Sequence, residues 1–289
     1  MRLVTFAVNG GAPRLGVLEG EGIADLSGAA GAPASMLAAC GLTPKAIAGF
    51  ASAAPKVSLS AAKLLAPFPK PDRSIYCVGK NYHEHAKEFA SSGFDATAKE
   101  VVPEAPVIFT KPPTSVSGPG DVIPGHLDDT ASVDYEGELA VVIGTGGRGI
   151  KASDALGHVF GYTIVNDVTS RILQNKHRQW VIGKGIEGFC PMGPAVLTAD
   201  EVPDPTKLTL KTWVNGELRQ DAVVSDLIFD IPTLIETLSR YVTLSPGDII
   251  ATGTPVGVGI GFKPPKFLQA GDVVRIEVSG IGTLENAVG

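Results

Sequence analysis

Short apolar runs divided by glycine and proline fill this chain, and long amphipathic stripes are rare in it. Three runs open it, at residues 2–8, 15–18 and 23–26, with GGAP and EGEG turning the chain between them. Each suits a strand and is too short for a helix. Met36, Leu37 and residues 44–50 read as one or two short helices. Pro67, Pro69 and Pro71 then stiffen the chain, since each fixes its own φ and restricts the residue before it. Strand-length runs return at 75–78, 106–110, 139–143, 159–165, 249–251 and 273–278. LTLKTWV within residues 205–215, an NG turn at 215–216 and the run at 218–222 make a hairpin. One segment, 229–241, is amphipathic with helical spacing and is entered through Pro232. The pattern predicts an α+β chain that is mostly β. It divides into a small N-terminal α+β domain at 1–66, a linker at 67–71 and a large domain at 72–289.

Composition supports a folded, turn-rich protein. Of 289 residues 44% are hydrophobic, and 35 glycines with 22 prolines favour short strands over long helices. The net charge of −6 comes without a Lys/Arg cluster, which argues against nucleic acid and leaves room for a small acidic substrate. Three scattered cysteines, Cys40, Cys77 and Cys190, form neither a disulfide framework nor a zinc knuckle. No signal peptide or membrane span is visible, so the cytoplasm is the expected compartment. Residues 1–66 carry no evident chemical group and read as a structural or dimer-supporting module.

The chemistry gathers around DYEGELAVVIG, residues 134–144. Its second half is a buried strand, and alternation along it puts Asp134, Glu136 and Glu138 on one face, neighbours about 6.7 Å apart. Carboxylates entering a core need a counter-charge. A divalent cation between Glu136 and Glu138 supplies it, and oxygen-only ligands suit Mg²⁺, Mn²⁺ or Ca²⁺. The plainer alternative is a strand that begins in solvent. Asp167 follows the run at 159–165, either as cap of a helix starting at Val168 or as a third oxygen ligand. That helix places Arg171 and Gln174 on one face, at i and i+3. Upstream, Asn81 reads as the cap of a short helix that carries His85 and Glu88 at the same spacing. A carboxylate there can orient the imidazole as a general base requires. His83 points away from it. Residues 91–102, small, charged and without periodicity, have the composition of a mobile lid. Lys184 sits in a glycine-rich loop and can supply fixed positive charge. The loop 252–261, TGTPVGVGIG, offers backbone amides to an anion. Residues 144–149 fit G-x-G-x-x-G, but the helix after them is too short for a dinucleotide crossover and acids lie where pyrophosphate would settle.

VGKNYHEHAKE, FTKPPTS, DYEGELAVVIG, GYTIVNDVTSRILQ, GKGIEGFCPMGP and TGTPVGVG, taken in order, resemble the fumarylacetoacetate hydrolase family from about residue 72 onward. The resemblance implies a mixed β-sandwich roll around a divalent metal held by Glu136, Glu138 and Asp167, with Mg²⁺ or Mn²⁺ ahead of Ca²⁺. It makes His85 the base, Glu88 its orienting partner and Lys184 the lysine facing the substrate's oxygens. Tyr82, Arg171, Gln174 and Thr254 become substrate contacts, and the G-x-G-x-x-G match becomes a turn. A homodimer and a small 2-oxo acid substrate are implied as well. The reaction expected first is C–C hydrolysis of a short 2,4-dioxo acid of the acylpyruvate or fumarylpyruvate type. The alternative is an isomerase, tautomerase or decarboxylase acting on a 2-oxo dicarboxylate such as oxaloacetate or 2-hydroxyhepta-2,4-diene-1,7-dioate. The chain departs from many members at residues 185–187, GIE for SFD, and at Ile172, where an acid commonly follows the arginine. A metal-stabilised binding protein would need neither His85 nor Lys184, and a nicotinamide enzyme would need the loop at 144–149 to hold pyrophosphate.

Overall fold

A computed structural model describes residues 1–94 and 101–289. Residues 95–100, the middle of the segment expected to be a lid, lie outside the described residues. Among the described residues the architecture is mostly β. A mixed sheet runs, in spatial order, through the strands Lys56–Ser58, Gly22–Asp25, Arg14–Glu19, Arg2–Val8, Cys190–Thr198, Val159–Asn166, Gly137–Ile143, Ile249–Ala251, Ile75–Gly79 and Val107–Lys111. A second sheet, Glu217–Val223, Thr209–Val214, Val273–Val278 and Gly282–Ala287, is antiparallel throughout. The strands of the first 66 residues do not stand apart. Arg2 and Leu3 pair with Leu197 and Val196, so the large sheet is continuous across both halves of the chain.

Alternation along Gly137–Ile143 divides the core. Leu139, Val141 and Ile143 face one apolar cluster with Leu210, Val274 and Ile276 of the second sheet and Leu234, Ile235 and Leu238 of the helix Ile231–Tyr241. Ala140 and Val142 face another, which holds Leu3, Met36 and Ile47 of the N-terminal elements together with Ile249 and Val196. A strand buried on both sides reads as a continuous apolar run, as this one does. The hairpin at Asn215 and Gly216 forms as expected, with both residues at positive φ, 51° and 80°. No helix among the described residues is long and apolar enough to cross a membrane.

Several local expectations are corrected. Asp134 does not continue the strand of Glu138: it lies in the separate short strand Val133–Asp134, paired with Thr169–Ser170, and the long strand starts at Gly137. Because the chain stays extended through that pairing, the helix expected at Val168 begins at Arg171 and runs to His177, so Asp167 caps nothing. Asn81 does not cap the helix His83–Ser91, whose N-terminal flank is Tyr82; its amide instead bridges Phe229 and Thr252. Lys184 ends a single helical turn, Val181–Lys184. Residues 144–149, by contrast, form the turn that was expected, tied to Leu244 and to the Ser239 carbonyl.

Candidate active site and metal centre

The site lies where three neighbouring strands end. Glu138 is within the strand Gly137–Ile143 and Glu136 just before it, and Asn166, last residue of the adjacent strand, pairs with Gly137. The chain then delivers Asp167, whose N–H donates to the Glu136 carbonyl at 2.9 Å, while Asn166 Oδ1 accepts from the Glu136 N–H at 3.0 Å. These two bonds lock the junction so that one oxygen from each of Glu136, Glu138 and Asp167 lies within 4.8 Å of the others. All three are buried, at 5%, 1% and 0% exposure, which excludes the reading in which they simply face water.

Fixed cations surround them. Lys184 Nζ donates to Glu136 Oε2 at 2.8 Å, Asp167 Oδ2 at 2.7 Å and Thr169 Oγ1 at 2.8 Å. Lys111 Nζ holds the other Asp167 oxygen at 2.7 Å and the Val168 carbonyl at 3.0 Å. Arg171 spans the two strands: its Nε donates to Asp134 Oδ2 at 2.9 Å and its Nη1 pairs with Glu136 Oε1 at 2.6 Å. Four buried carboxylates thus meet Lys111, Lys184 and Arg171. Among the described residues Glu138 alone of the four forms no ion pair, and it accepts only from the Gly253 N–H, at 2.9 Å.

The acid strengths follow. Burial alone would raise Glu136, but Lys184 and Arg171, aided by His85, outweigh it and hold the carboxyl well below its usual range. For Glu138 burial dominates, the charges of Asp167 and Glu136 add to it, and the carboxyl is pushed well above its usual range. Asp134 is also raised by burial, although Arg171 and the Gly259 amide pull against it. An all-oxygen set in which one buried acid forms no ion pair among the described residues fits a hard divalent cation such as Mg²⁺ or Mn²⁺.

Above the triad lies the helix His83–Ser91. His85 is 4% exposed and its Nδ1 is 3.0 Å from Glu88 Oε2, while Glu88 Oε1 accepts from the Gly257 N–H at 3.0 Å. His83 is exposed, as its helical position requires. One cleft is lined by His85, Glu136, Glu138, Arg171, Gln174, Lys184 and Thr254, together with Lys80, Phe89 and Trp180. It therefore gathers the expected residues apart from Asp167, beneath Lys184, Glu88, behind His85, and Tyr82. Tyr82 lines a different surface cleft with His83 and Asp226. Its buried hydroxyl has no hydrogen-bond partner among the described residues. Gln174 Oε1 is 3.4 Å from Arg171 Nη1, and Arg171 Nη2 has no partner among the described residues. The Thr254 hydroxyl donates to the Gly137 carbonyl at 3.0 Å and accepts from Gln220 Nε2 at 2.8 Å.

The sequence reading missed Lys111 and the structural part played by Asp134. The trace of Lys111 is the lysine of FTKPPTS, but its partner is 56 residues away and nothing local announces it. The loop 252–261 does bring amides to anions, and those anions are the protein's own carboxylates: Glu138, Glu88 and Asp134.

A family model described as Fumarylacetoacetate (FAA) hydrolase C-terminal matches residues 74–289, and the chain belongs to that family. With its buried acidic triad, it is an enzyme whose catalysis is metal-assisted. It is 53% identical to oxaloacetate tautomerase YisK of Bacillus subtilis (strain 168) over 232 residues, which are 80% of this chain and 75% of that protein. A solved fumarylacetoacetate hydrolase from Exiguobacterium antarcticum superposes with a TM-score of 0.84 at 42% identity, over 100% of this chain and 99% of that one. Maleylpyruvate hydrolase from Sphingobium sp. SYK-6, solved with manganese(II) and pyruvate, gives a TM-score of 0.79 at 35% identity, over 100% and 98%.

Proposed function

We propose that the protein interconverts the keto and enol forms of a short 2-oxo dicarboxylate of the oxaloacetate type. The observation that carries the reading is a single proton-carrying pair, His85 with Glu88, set over three buried carboxylates. The identity with an oxaloacetate tautomerase supports it. Glu136, Glu138 and Asp167 would hold Mg²⁺ or Mn²⁺, which when bound polarises the 2-oxo group and makes the adjacent carbon more acidic.

The chain's own residues do the rest. With its Nδ1–H given to Glu88, His85 keeps the Nε2 lone pair for the substrate. It takes the proton from the carbon beside the oxo group and returns it to oxygen, and the reverse restores the ketone. Lys184 is fixed by three oxygens and faces the developing oxyanion. Arg171 Nη2 and Gln174 offer donors to a substrate carboxylate. Thr254 lines the same wall with its hydroxyl proton already committed, so it shapes the cleft and can contribute an acceptor.

C–C hydrolysis of a 2,4-dioxo acid is the second reading, favoured by the likeness to maleylpyruvate hydrolase. It demands an attacking water in addition to the proton pair. A panel of oxaloacetate, acetylpyruvate, fumarylpyruvate and 2-hydroxyhepta-2,4-diene-1,7-dioate, followed in the ultraviolet, separates the two. Accelerated decay of enol oxaloacetate without cleavage supports the tautomerase; rapid cleavage of an acylpyruvate with no effect on oxaloacetate overturns it. A cytoplasmic homodimer remains the expected state, which sedimentation and fractionation test.

A further inference from the structure

We propose that Gly261 is a positioning residue: its missing side chain makes the space from which the Glu88 carboxylate holds His85. The inference rests on the reading of His85 as the proton carrier. In the loop GVGIG, residues 257–261, the two apolar side chains and the glycines face opposite ways. Val258 and Ile260 are buried against Phe89 and Trp180, which seats the loop on the His83–Ser91 helix. The glycines turn towards carboxylates. The Gly257 N–H donates to Glu88 Oε1, and the Gly259 N–H donates to Asp134 Oδ1 at 2.7 Å.

Gly261 closes the Glu88 side. A methyl group on its Cα would fall on Glu88 Oε1 and lie 2.5 Å from Cδ and 2.8 Å from Cγ. The backbone is poorly placed to yield. The Gly261 N–H donates to the Val258 carbonyl at 3.0 Å, and the Gly259 carbonyl accepts from Lys266 N–H at 2.9 Å. Glu88, a side chain met at its far end, can move by rotation. The least costly relief of the clash therefore swings the carboxylate away from His85 and leaves fold and metal ligands in place. Gly257 is a different case, because its φ of 107° would strain any side chain.

The test is Gly261→Ala, compared with wild type, Glu88→Ala and the double variant. The imidazole ¹⁵N resonances of His85 report on Glu88 without any substrate. We expect Gly261→Ala to fold, to bind Mn²⁺ with wild-type affinity and to show His85 signals moved to those of Glu88→Ala. Its kcat should fall on the order of 10-fold with KM unchanged, part of the 10²–10⁴ that an acid–base group supplies. Alanine at 261 should then cost nothing further in the Glu88→Ala background. His85 signals at wild-type positions in a folded Gly261→Ala protein overturn the proposal, as does an additive loss in the double variant. If Gly261→Ala fails to fold, the double variant decides: recovery of folding supports a clash with Glu88, and failure to recover overturns it. Moved His85 signals together with full oxaloacetate turnover in both Gly261→Ala and His85→Ala leave the placement of Glu88 standing and remove His85 as proton carrier.

Discussion

Glu138 carries the clearest electrostatic signature in the molecule. Burial and the neighbouring Asp167 and Glu136 raise its carboxyl well above the usual range, and the opposing pull of Lys184 and the Gly253 N–H does not overcome them. A buried acid of this kind binds its proton more tightly folded than unfolded. Its contribution to stability is therefore present at low pH and is lost as pH rises past the unfolded value of about 4.3 and through the raised folded one. Metal-free protein should lose stability over that interval, and added Mn²⁺ should restore it, with affinity that climbs as pH rises. Glu138→Gln should flatten the pH dependence, abolish turnover and weaken Mn²⁺ binding by more than the 10–100-fold typical of an outer partner. Thermal melts with and without EDTA, with calorimetric titration of Mn²⁺, check this. A Glu138→Gln variant that binds Mn²⁺ as tightly as wild type would sink the assignment. His85→Ala is the complementary change. It should lower kcat on the order of 10²- to 10⁴-fold while leaving Mn²⁺ affinity nearly unaltered, because His85 is not one of the three triad ligands. Wild-type kcat in that variant would leave the proton transfer to some other group.

Between elements, the decisive contacts are long-range, and they mark where the sequence stops being readable. Asn81 is the plainest example. A polar residue ahead of a helix suggests a cap, yet its fully buried amide donates to the Phe229 carbonyl at 3.0 Å and the Thr252 carbonyl at 2.8 Å and accepts from the Phe229 N–H at 2.8 Å. It stitches the His83–Ser91 helix to the glycine loop and to the segment before Ile231–Tyr241. Asn81→Ala leaves the buried Thr252 carbonyl and the part-buried Phe229 backbone groups without these partners and should destabilise by about 1–3 kcal/mol. It should also lower kcat, since the helix that carries His85 loses its anchor; a melt within a degree of wild type would count against it. The hairpin at 215–216, the buried runs at 139–143 and 159–165 and the Glu136–Glu138 pairing were legible because turn chemistry and alternation are local. The true start of the Arg171 helix was not legible. It depends on Thr169–Ser170 pairing with Val133–Asp134, and on Asp167 being claimed by two lysines from other parts of the chain. The strands Lys56–Ser58 and Ala62–Leu65 escaped notice for a related reason: they are short and little buried, and their neighbours rather than their own pattern make them strands.

At the scale of the whole molecule, the question is whether residues 1–66 fold apart from the site or with it. The family match begins at residue 74, and every site residue lies beyond it. Sequence punctuation by Pro67, Pro69 and Pro71 also suggests two units. The packing points the other way. Leu3, Leu15, Met36 and Ile47 share one apolar cluster with Ala140, Val142, Val196 and Ile249, which form the back of the strands that hold the acids. The sheet itself continues through the pairing of Arg2 and Leu3 with Leu197 and Val196. Removing residues 1–66 would bare that cluster and open a sheet edge beside Cys190–Thr198, although no chemical group would be lost. The expected result is one cooperative unfolding transition for the full chain in scanning calorimetry, starting from EDTA-treated protein. Mn²⁺ bound only by the folded state at a hundred times its Kd contributes about 2.7 kcal/mol. For a protein of this size that moves the midpoint by roughly 4–5 °C. Because the transition is shared, the whole of it should move, the N-terminal strands included. Two transitions, of which only one responds to Mn²⁺, would show that the N-terminal strands fold independently despite the shared sheet. A fragment of residues 72–289 separates the same alternatives from the other side. It holds every proposed ligand and the His85–Glu88 pair, yet it should be poorly soluble or melt well below the full chain, and only a fragment as stable and active as the intact protein would make the N-terminal region an appendage.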